Sequence, residues 1–193
     1  MQISVALSTA FLVLSGADWA YYQATRSTAL VGVVIFAGVA GFIIPVVGPL
    51  QLYFLGRARK DARLQLMTQN VAVAEIAAFL IAAAYKAFTG RLQPNLANGA
   101  DISHAFQFGL LHNGIFWGWP SSHTIIAFAG AVVIVLSVRS RVARAISILY
   151  ALIIGFGASV GFHWFSDVVA GAFLGTLVAF KTQRDSSRVT EPL

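Results

Sequence analysis

The 193-residue chain contains no cysteine, and few of its residues are charged. Without cysteine, disulfides and thiolate chemistry are excluded and the redox compartment cannot be read from the sequence. Charged residues make up 10% of the chain, whereas an average soluble domain has about 25%. Hydrophobic residues make up 58%. This composition excludes an ordinary soluble domain and indicates an integral membrane protein with little of its chain outside the bilayer.

Six apolar segments approach the length of about 20 residues that a spanning helix needs. The predicted spans are residues 2–21, 29–55, 66–88, 122–138, 145–162 and 167–181. We therefore expect an all-α fold, an integral membrane six-helix bundle, in a single domain covering residues 1–193. Pro45 lies inside the second span and predicts a kink or a tilt there. The last span is short, as expected for a helix that begins inside a cavity.

Basic residues are unevenly distributed between the two ends of this predicted bundle. Ten of the 13 Lys and Arg residues follow the second, fourth or sixth span, which places them on one side of a six-helix topology. Arg26, Lys86 and Arg91 lie on the other side. The positive-inside rule then predicts a plasma (inner) membrane protein with both termini cytoplasmic. We assign the formal net charge of +6 to loops that face anionic lipid, and we expect no nucleic-acid partner.

Two histidines occur in polar motifs at the predicted extracytoplasmic ends of spans. His163, in V-G-F-H-W-F-S-D, precedes Asp167 by one helical turn, so a bond from the carboxylate would fix the ring tautomer and leave the other nitrogen free to attack. His123, in P-S-S-H, follows Ser121 and Ser122 at a predicted helix start. The free backbone N–H groups of a helix start favour an anion, and His123 would lie beside a bound phosphate as a general acid.

A third polar motif, K-A-F-T-G-R-L-Q-P, covers residues 86–94 at the end of another span. Lys86 and Arg91 could neutralise the non-bridging oxygens of a phosphoryl group, Arg91 in bidentate fashion. Each motif alone has an ordinary explanation, because an i,i+4 His–Asp pair is more often a helix-end hydrogen bond. The order of the three motifs and their shared membrane side favour phosphoryl chemistry.

Other polar and small residues have open interpretations. Glu75, inside the third span, is either a functional carboxylate or an acid in an interhelical hydrogen bond. The aromatic-rich segment 101–119, which contains His104 and His112, is predicted to lie in the membrane interface, roofing the pocket or holding a lipid tail. Small residues at alternate positions from Gly155 to Gly161 predict close helix packing.

The three motifs, in this order, resemble the signature of the type 2 phosphatidic acid phosphatase family. The resemblance covers about residues 86–175, and the six-helix layout extends it over the chain. It implies a membrane lipid phosphate phosphatase in which His163 is the nucleophile that forms a phosphohistidine. Asp167 would support His163, and His123 would donate a proton to the leaving group.

The same resemblance implies that Lys86, Ser121 and the backbone at Ser122 bind the phosphate. To these we add Arg91 and Gln93 as expected phosphate-binding residues. The mechanism requires no metal and no other cofactor.

Two positions depart from the family pattern. Gln93 stands before Pro94 where the first motif usually has Arg, and Gly157 stands where the third motif usually has Arg. Each missing charge-assisted contact would cost roughly 2–4 kcal/mol of transition-state stabilisation, or about 30- to 1000-fold in rate. The candidates for compensation are His104, His112 and Arg26.

The expected function is therefore a lipid phosphate or pyrophosphate phosphatase acting through a phosphohistidine at the extracytoplasmic face. Its expected partners are a lipid phosphate substrate and membrane lipids. One alternative is a catalytically silent lipid-phosphate binder, motivated by Gln93 and Gly157. Another is a lipid phosphotransferase that uses the same histidine. The lipid headgroup and the oligomeric state are left open.

Overall fold

The computed structural model describes residues 2–94 and 99–189. The helices are α1 (Gln2–Leu14), α2 (Ala17–Thr25), α3 (Val31–Ala58), α4 (Ala62–Thr89), α5 (Ser122–Ser137), α6 (Arg141–Gly161) and α7 (Phe165–Val189). A short 3-10 helix, Thr28–Leu30, precedes α3. No strand occurs in these two ranges, so the all-α prediction is confirmed.

Within the described residues, four helices are long and apolar enough to cross a membrane: α3, α4, α6 and α7. A fifth candidate is the pair α1 and α2, which bends by 67° at the break between the two helices. The segment predicted as a span over residues 2–21 is not one straight helix, because Gly16 adopts a left-handed conformation (φ 73°) that interrupts it. Its assignment as a span stays a prediction. The helix α5 has only 16 residues. The count of six spans stays a prediction.

The structure bears on two expectations about helix shape, and the kink or tilt expected at Pro45 stays a prediction. The short helix is α5, whereas α7 has 25 residues and continues beyond the predicted end at residue 181. The apolar pattern ends near Phe180, but helical geometry continues into the polar residues that follow. The helix α3 runs without interruption through Pro45 and Pro49, so neither proline ends it.

Small residues bring the helices close together around α5, which packs against α3, α4, α6 and α7. A Cβ atom added to Gly171 would lie 2.9 Å from the Ser121 carbonyl oxygen, and one added to Gly175 would meet the Ile125 carbonyl. The helices α5 and α7 therefore run parallel, and both begin at the same end of the bundle. This arrangement places the P-S-S-H motif beside the start of α7.

Glycines of α6 make a similar close contact with α3. A Cβ atom added to Gly157 would lie 2.7 Å from the Val33 carbonyl oxygen, and one added to Gly161 would clash with the Val34 side chain. The predicted close packing along Gly155–Gly161 is thus confirmed. It also leaves no room at position 157 for any side chain.

Candidate active site

His163 lies in the short connection between α6 and α7. Its backbone N–H donates to the Ala158 carbonyl (2.9 Å), and its side chain is 3% exposed. The ring Nδ1 lies 3.1 Å from Asp167 Oδ2, which also accepts a hydrogen bond from the Trp164 N–H at 3.2 Å. The predicted His–Asp contact is therefore present. Because Asp167 holds Nδ1, Nε2 is the ring nitrogen left to react.

Burial is the largest influence on the His163 imidazole, and it lowers the pKa of that ring. The hydrogen bond with Asp167 acts in the opposite direction, and the positive charges of Lys86 and Arg91 add to the lowering. The net shift is downward. At neutral pH the ring is therefore neutral, as a nucleophile must be.

Arg91, predicted to bind phosphate, is fully buried and bonded to groups within the protein. Its Nη2 lies 2.7 Å from Asp18 Oδ2, and its Nη1 pairs with Asp167 Oδ1. Nη1 also donates to the Ser166 hydroxyl at 2.8 Å, while Nε and Nη2 donate to the Ser103 carbonyl. A guanidinium has five N–H groups, and these contacts occupy all five. Arg91 would have to give up an internal partner to contact a phosphate.

Asp18 is a candidate functional residue that sequence reasoning missed. It lies in α2 and is completely buried. Its Oδ1 accepts from the Ser166 N–H at 2.8 Å, and its Oδ2 accepts from the Ser166 hydroxyl and from Arg91. The sequence did contain one signal for a functional role, because Asp18 is an acidic residue in an apolar segment. The partners are 73 and 148 positions away along the chain, so no local pattern could name them.

His123 lies in the first turn of α5, against two aromatic rings. Its ring centroid is 5.2 Å from that of Phe42 and 5.0 Å from that of Phe162. Phe162 is also 5.4 Å from the His163 ring, so the same phenyl group adjoins both histidines. Gly41 makes space for His123, because an added Cβ would lie 2.9 Å from the imidazole. Within the described residues, His123 Nδ1 is buried with no hydrogen-bond partner.

Lys86 is 1% exposed, and its Nζ donates to the Phe116 carbonyl at 2.7 Å. The Phe162 ring adjoins both histidines, and the buried Lys86 is close enough for its charge to act on each of them. The structure thus brings together the lysine of the first motif and the histidines of the other two.

Ser121 begins α5 and ties it to α7. Its backbone N–H donates to the Asp167 carbonyl at 3.1 Å. Its hydroxyl oxygen accepts from the Thr124 N–H at 3.4 Å and from the Thr124 hydroxyl at 3.0 Å, so the proton of Ser121 itself is available to an anion. Ser122 follows at the first helical position and is 5% exposed.

Gln93, predicted to bind phosphate, joins two of the surrounding segments. With its amide oriented to satisfy both neighbours, the nitrogen donates to the Phe162 carbonyl and the oxygen accepts from the Gly118 N–H at 2.7 Å. The side chain is 3% exposed. An arginine could replace only the donor half of this bridge, since guanidinium accepts no hydrogen bond.

The residues proposed to compensate for the missing arginines are not drawn into this pocket. His104, His112 and Arg26 are exposed, and the Arg26 guanidinium lies 6.0 Å over the Tyr22 ring. Among the described residues, no hydrogen bond or ion pair joins any of the three to His123 or His163. No group of three or more potential metal ligands occurs in the same part of the chain.

An apolar cavity of about 600 Å³ lies between α3, α4 and α5. Gly41 and Phe42, the neighbours of His123, line one end of the cavity, and Tyr53 lines a point about 18 Å further along α3 at 1.5 Å per residue. Glu75 also lines it, and Glu75 Oε2 is buried with no partner among the described residues. The apolar cavity therefore adjoins His123 within the membrane-spanning part of the bundle.

The fold and the site define a multi-pass membrane protein whose neighbouring histidines, buried lysine and helix start suit a phosphoryl group. A family model described as the PAP2 superfamily matches residues 68–190, which is more than half of the chain. The chain belongs to the PAP2 superfamily, and the predicted family resemblance is confirmed. The match includes Lys86, His123 and His163 but not α1, α2 or α3.

Among solved structures, the chain is similar to the first transmembrane PAP2-type phosphatidylglycerolphosphate phosphatase from Bacillus subtilis. The TM-score is 0.59 and the sequence identity is 17%, and the likeness covers 98% of this chain and 95% of that chain. At this identity the comparison shows the fold alone. No match was found among curated proteins.

Proposed function

We propose that this protein is a membrane lipid phosphate or pyrophosphate phosphatase that acts through a phosphohistidine at the extracytoplasmic face. The observation that carries the proposal is the His163 ring, held through Nδ1 by Asp167 and joined to the His123 ring by the phenyl group of Phe162, which adjoins both. The buried Lys86 is close enough for its charge to act on both histidines. This arrangement contains a nucleophile, an acid and a cation for the phosphoryl oxygens. Membership of the PAP2 superfamily supports the reaction class.

In the first step, His163 Nε2 attacks phosphorus in line with the bond to the lipid oxygen. The N–P bond forms while the P–O bond breaks, and His123 donates a proton to the leaving lipid oxygen. The imidazole gains positive charge as the N–P bond forms. Asp167, bonded to Nδ1, stabilises that charge.

In the second step, water attacks the phosphohistidine. His123, which lost its proton in the first step, now accepts one from the water. The N–P bond breaks, inorganic phosphate leaves, and His163 returns to its neutral state.

The phosphate would lie at the start of α5, where backbone N–H groups and the helix dipole favour an anion. Ser121 can donate its hydroxyl proton there, and the Ser122 backbone lies in the same turn. Lys86 would exchange the Phe116 carbonyl for a phosphate oxygen. Arg91 and Gln93, whose polar groups are already bonded, are reassigned from phosphate binding to holding the site together.

A lipid substrate is supported by the cavity beside His123. Gly41 and Phe42 contact the imidazole and also line the apolar cavity, so a hydrocarbon chain lying in the cavity could reach the reacting phosphate. The extracytoplasmic assignment rests on the distribution of basic residues in the sequence.

The test is release of inorganic phosphate by detergent-purified protein from a panel of lipid monophosphates and pyrophosphates, beside His163→Ala. We expect release from at least one lipid, with loss of at least 1000-fold in the variant, because without the imidazole there is no nucleophile. Equal activity in His163→Ala would reject the mechanism. The fold of the variant would be checked by its thermal unfolding.

A second candidate, a lipid-phosphate binder without turnover, is favoured by Gln93 and Gly157, because neither supplies the cation usual in the family. A binder would retain lipid phosphate but release no inorganic phosphate from any lipid of the panel.

A lipid phosphotransferase would instead form a new phosphoester when an acceptor alcohol is added. Product analysis with and without the alcohol separates it from a phosphatase.

A further inference from the structure

Asp18 reaches the site from a part of the chain that the family model does not match. The match begins at residue 68, whereas Asp18 lies in α2, after the break at Gly16. Its carboxylate is completely buried between the Arg91 guanidinium and the first turn of α7, where it accepts a hydrogen bond from the Ser166 N–H. This N–H is one of those that a helix leaves without an intrahelical partner.

The charges of Asp18, Asp167 and Arg91 do not cancel among themselves. Two carboxylates, Asp18 and Asp167, share the single guanidinium of Arg91, so the three groups together carry a net charge of −1. Burial of an excess charge is costly unless an opposite charge compensates it. Arg91 balances one of the two carboxylates, and the buried Lys86, whose charge acts on Asp167, is the other cation near them. The pairing of Asp18 with Arg91 therefore leaves more of the Asp167 charge for a positive charge that develops nearby during the reaction.

That positive charge would form on His163. Its Nδ1 is bonded to Asp167, and attack by Nε2 makes the ring cationic. With Asp18 present, the charge of Arg91 is shared between two carboxylates, and Asp167 keeps more of its negative charge for the imidazole. With Asp18 absent, Arg91 would pair with Asp167 alone, and this pair would be neutral.

We propose that Asp18 is a positioning residue for phosphoryl transfer: it offsets the charge of Arg91 and holds the first turn of α7, so that Asp167 can orient His163 and stabilise its cationic form. This inference rests on the proposed function. It adds α2 to a catalytic apparatus that the three motifs confine to α4–α7 and their connecting loops.

The first test is Asp18→Asn, which keeps the shape of the side chain and removes its charge. We expect kcat to fall about 10- to 100-fold, as for a small misplacement of a reacting group, with KM changed less than threefold. Asp61→Asn is the matched control, because it makes the same change at an exposed helix cap. It should leave both constants unchanged.

The second readout is the titration of His163, followed by NMR of protein with ¹⁵N-labelled histidine and assigned with His163→Ala. The charged or titratable groups acting on His163 are Asp167 from α7, Lys86 from α4, Arg91 from the following loop and His123 from α5. Removing the Asp18 charge exposes the ring to more of the Arg91 charge. The midpoint should therefore move to lower pH, and the acid limb of the pH–rate profile should move with it.

A double variant separates the effect of the Asp18 charge on His163 from any structural effect of the substitution. In Asp18→Asn combined with Arg91→Gln, only the Asp167 charge of the cluster is left, and the net charge is again −1. The His163 midpoint should return towards that of the wild-type protein. This comparison does not need the single variant to fold.

Each outcome decides the inference. Loss of activity in Asp18→Asn without movement of the His163 midpoint would mean that Asp18 acts only on stability, and the inference would be overturned. An unchanged kcat would overturn it as well, as would a midpoint in the double variant below that of the wild type. If the wild-type protein hydrolyses no lipid phosphate, the proposed function fails, whereas the titration still shows whether Asp18 controls His163.

Discussion

Buried carboxyl groups occur in two regions of this molecule, with opposite surroundings. At the histidine site, Asp18 and Asp167 are each bonded to Arg91 and to further donors. In the apolar cavity, Glu75 is also buried, but its Oε2 has no partner within the described residues. The two regions meet at His123, whose neighbours Gly41 and Phe42 line the cavity.

The difference shows how the bundle separates charge from hydrocarbon. An unpaired charge in an apolar interior costs far more than a neutral polar group does. A guanidinium and several N–H groups compensate Asp18 and Asp167. Glu75 has no such partner, and we expect it to be protonated. The buried, paired charges thus lie at the reacting end, and the cavity stays suitable for a lipid chain.

The largest effect should come from removing the shared cation. In Arg91→Leu, Asp18 and Asp167 would face each other without compensation, so the free energy of unfolding should fall by about 3–5 kcal/mol. Thermal or denaturant unfolding in detergent would measure this loss. Arg26→Leu is the matched control, because Arg26 is exposed. A loss below about 1 kcal/mol in Arg91→Leu would contradict the buried pairing.

A smaller effect should appear in the pH dependence. Attack requires the neutral His163 ring, whose pKa is lowered by burial. Activity should therefore fall as the pH drops through that pKa, below the ordinary value of about 6.5. The unfolded chain binds more protons in this range than the folded chain does, so stability should fall in the same direction and level off above about pH 6.5.

The profile of kcat/KM against pH, with thermal midpoints at the same pH values, would measure both effects. His104→Gln serves as a control, since His104 is exposed and should not shape the acid limb. An acid limb centred above pH 7 would mean that the pKa of His163 is raised, contrary to the lowering that its burial causes.

The smallest effect is expected in the cavity. Glu75→Gln exchanges one neutral polar group for another, so stability should change by about 1 kcal/mol or less. Asp167→Asn is the comparison, because it removes a charge that Arg91 and His163 require. Unfolding of the two variants under the same conditions would measure the contrast. A loss in Glu75→Gln as large as that in Asp167→Asn would show that Glu75 is ionised and has a partner.

Sequence reasoning succeeded where the relevant contacts are local. His163 and Asp167 are four positions apart, so helical geometry brings them together wherever the helix lies. The N-cap role of Ser121 could likewise be anticipated from its place before an apolar run. It did not anticipate the internal partners of Arg91 and Gln93, since a polar residue near a site can bind either substrate or protein, and the pattern does not distinguish the two.

The sequence by itself determined the membrane character, the all-α fold and the order of the three motifs, because composition and periodicity depend only on neighbouring residues. The tertiary structure alone decided that Asp18 pairs with Arg91, that Gln93 bridges two segments, and that Gly157 packs against α3. These contacts join residues far apart in the chain. Helix packing determines which of these distant residues contact each other, so a local sequence pattern cannot predict the pairs.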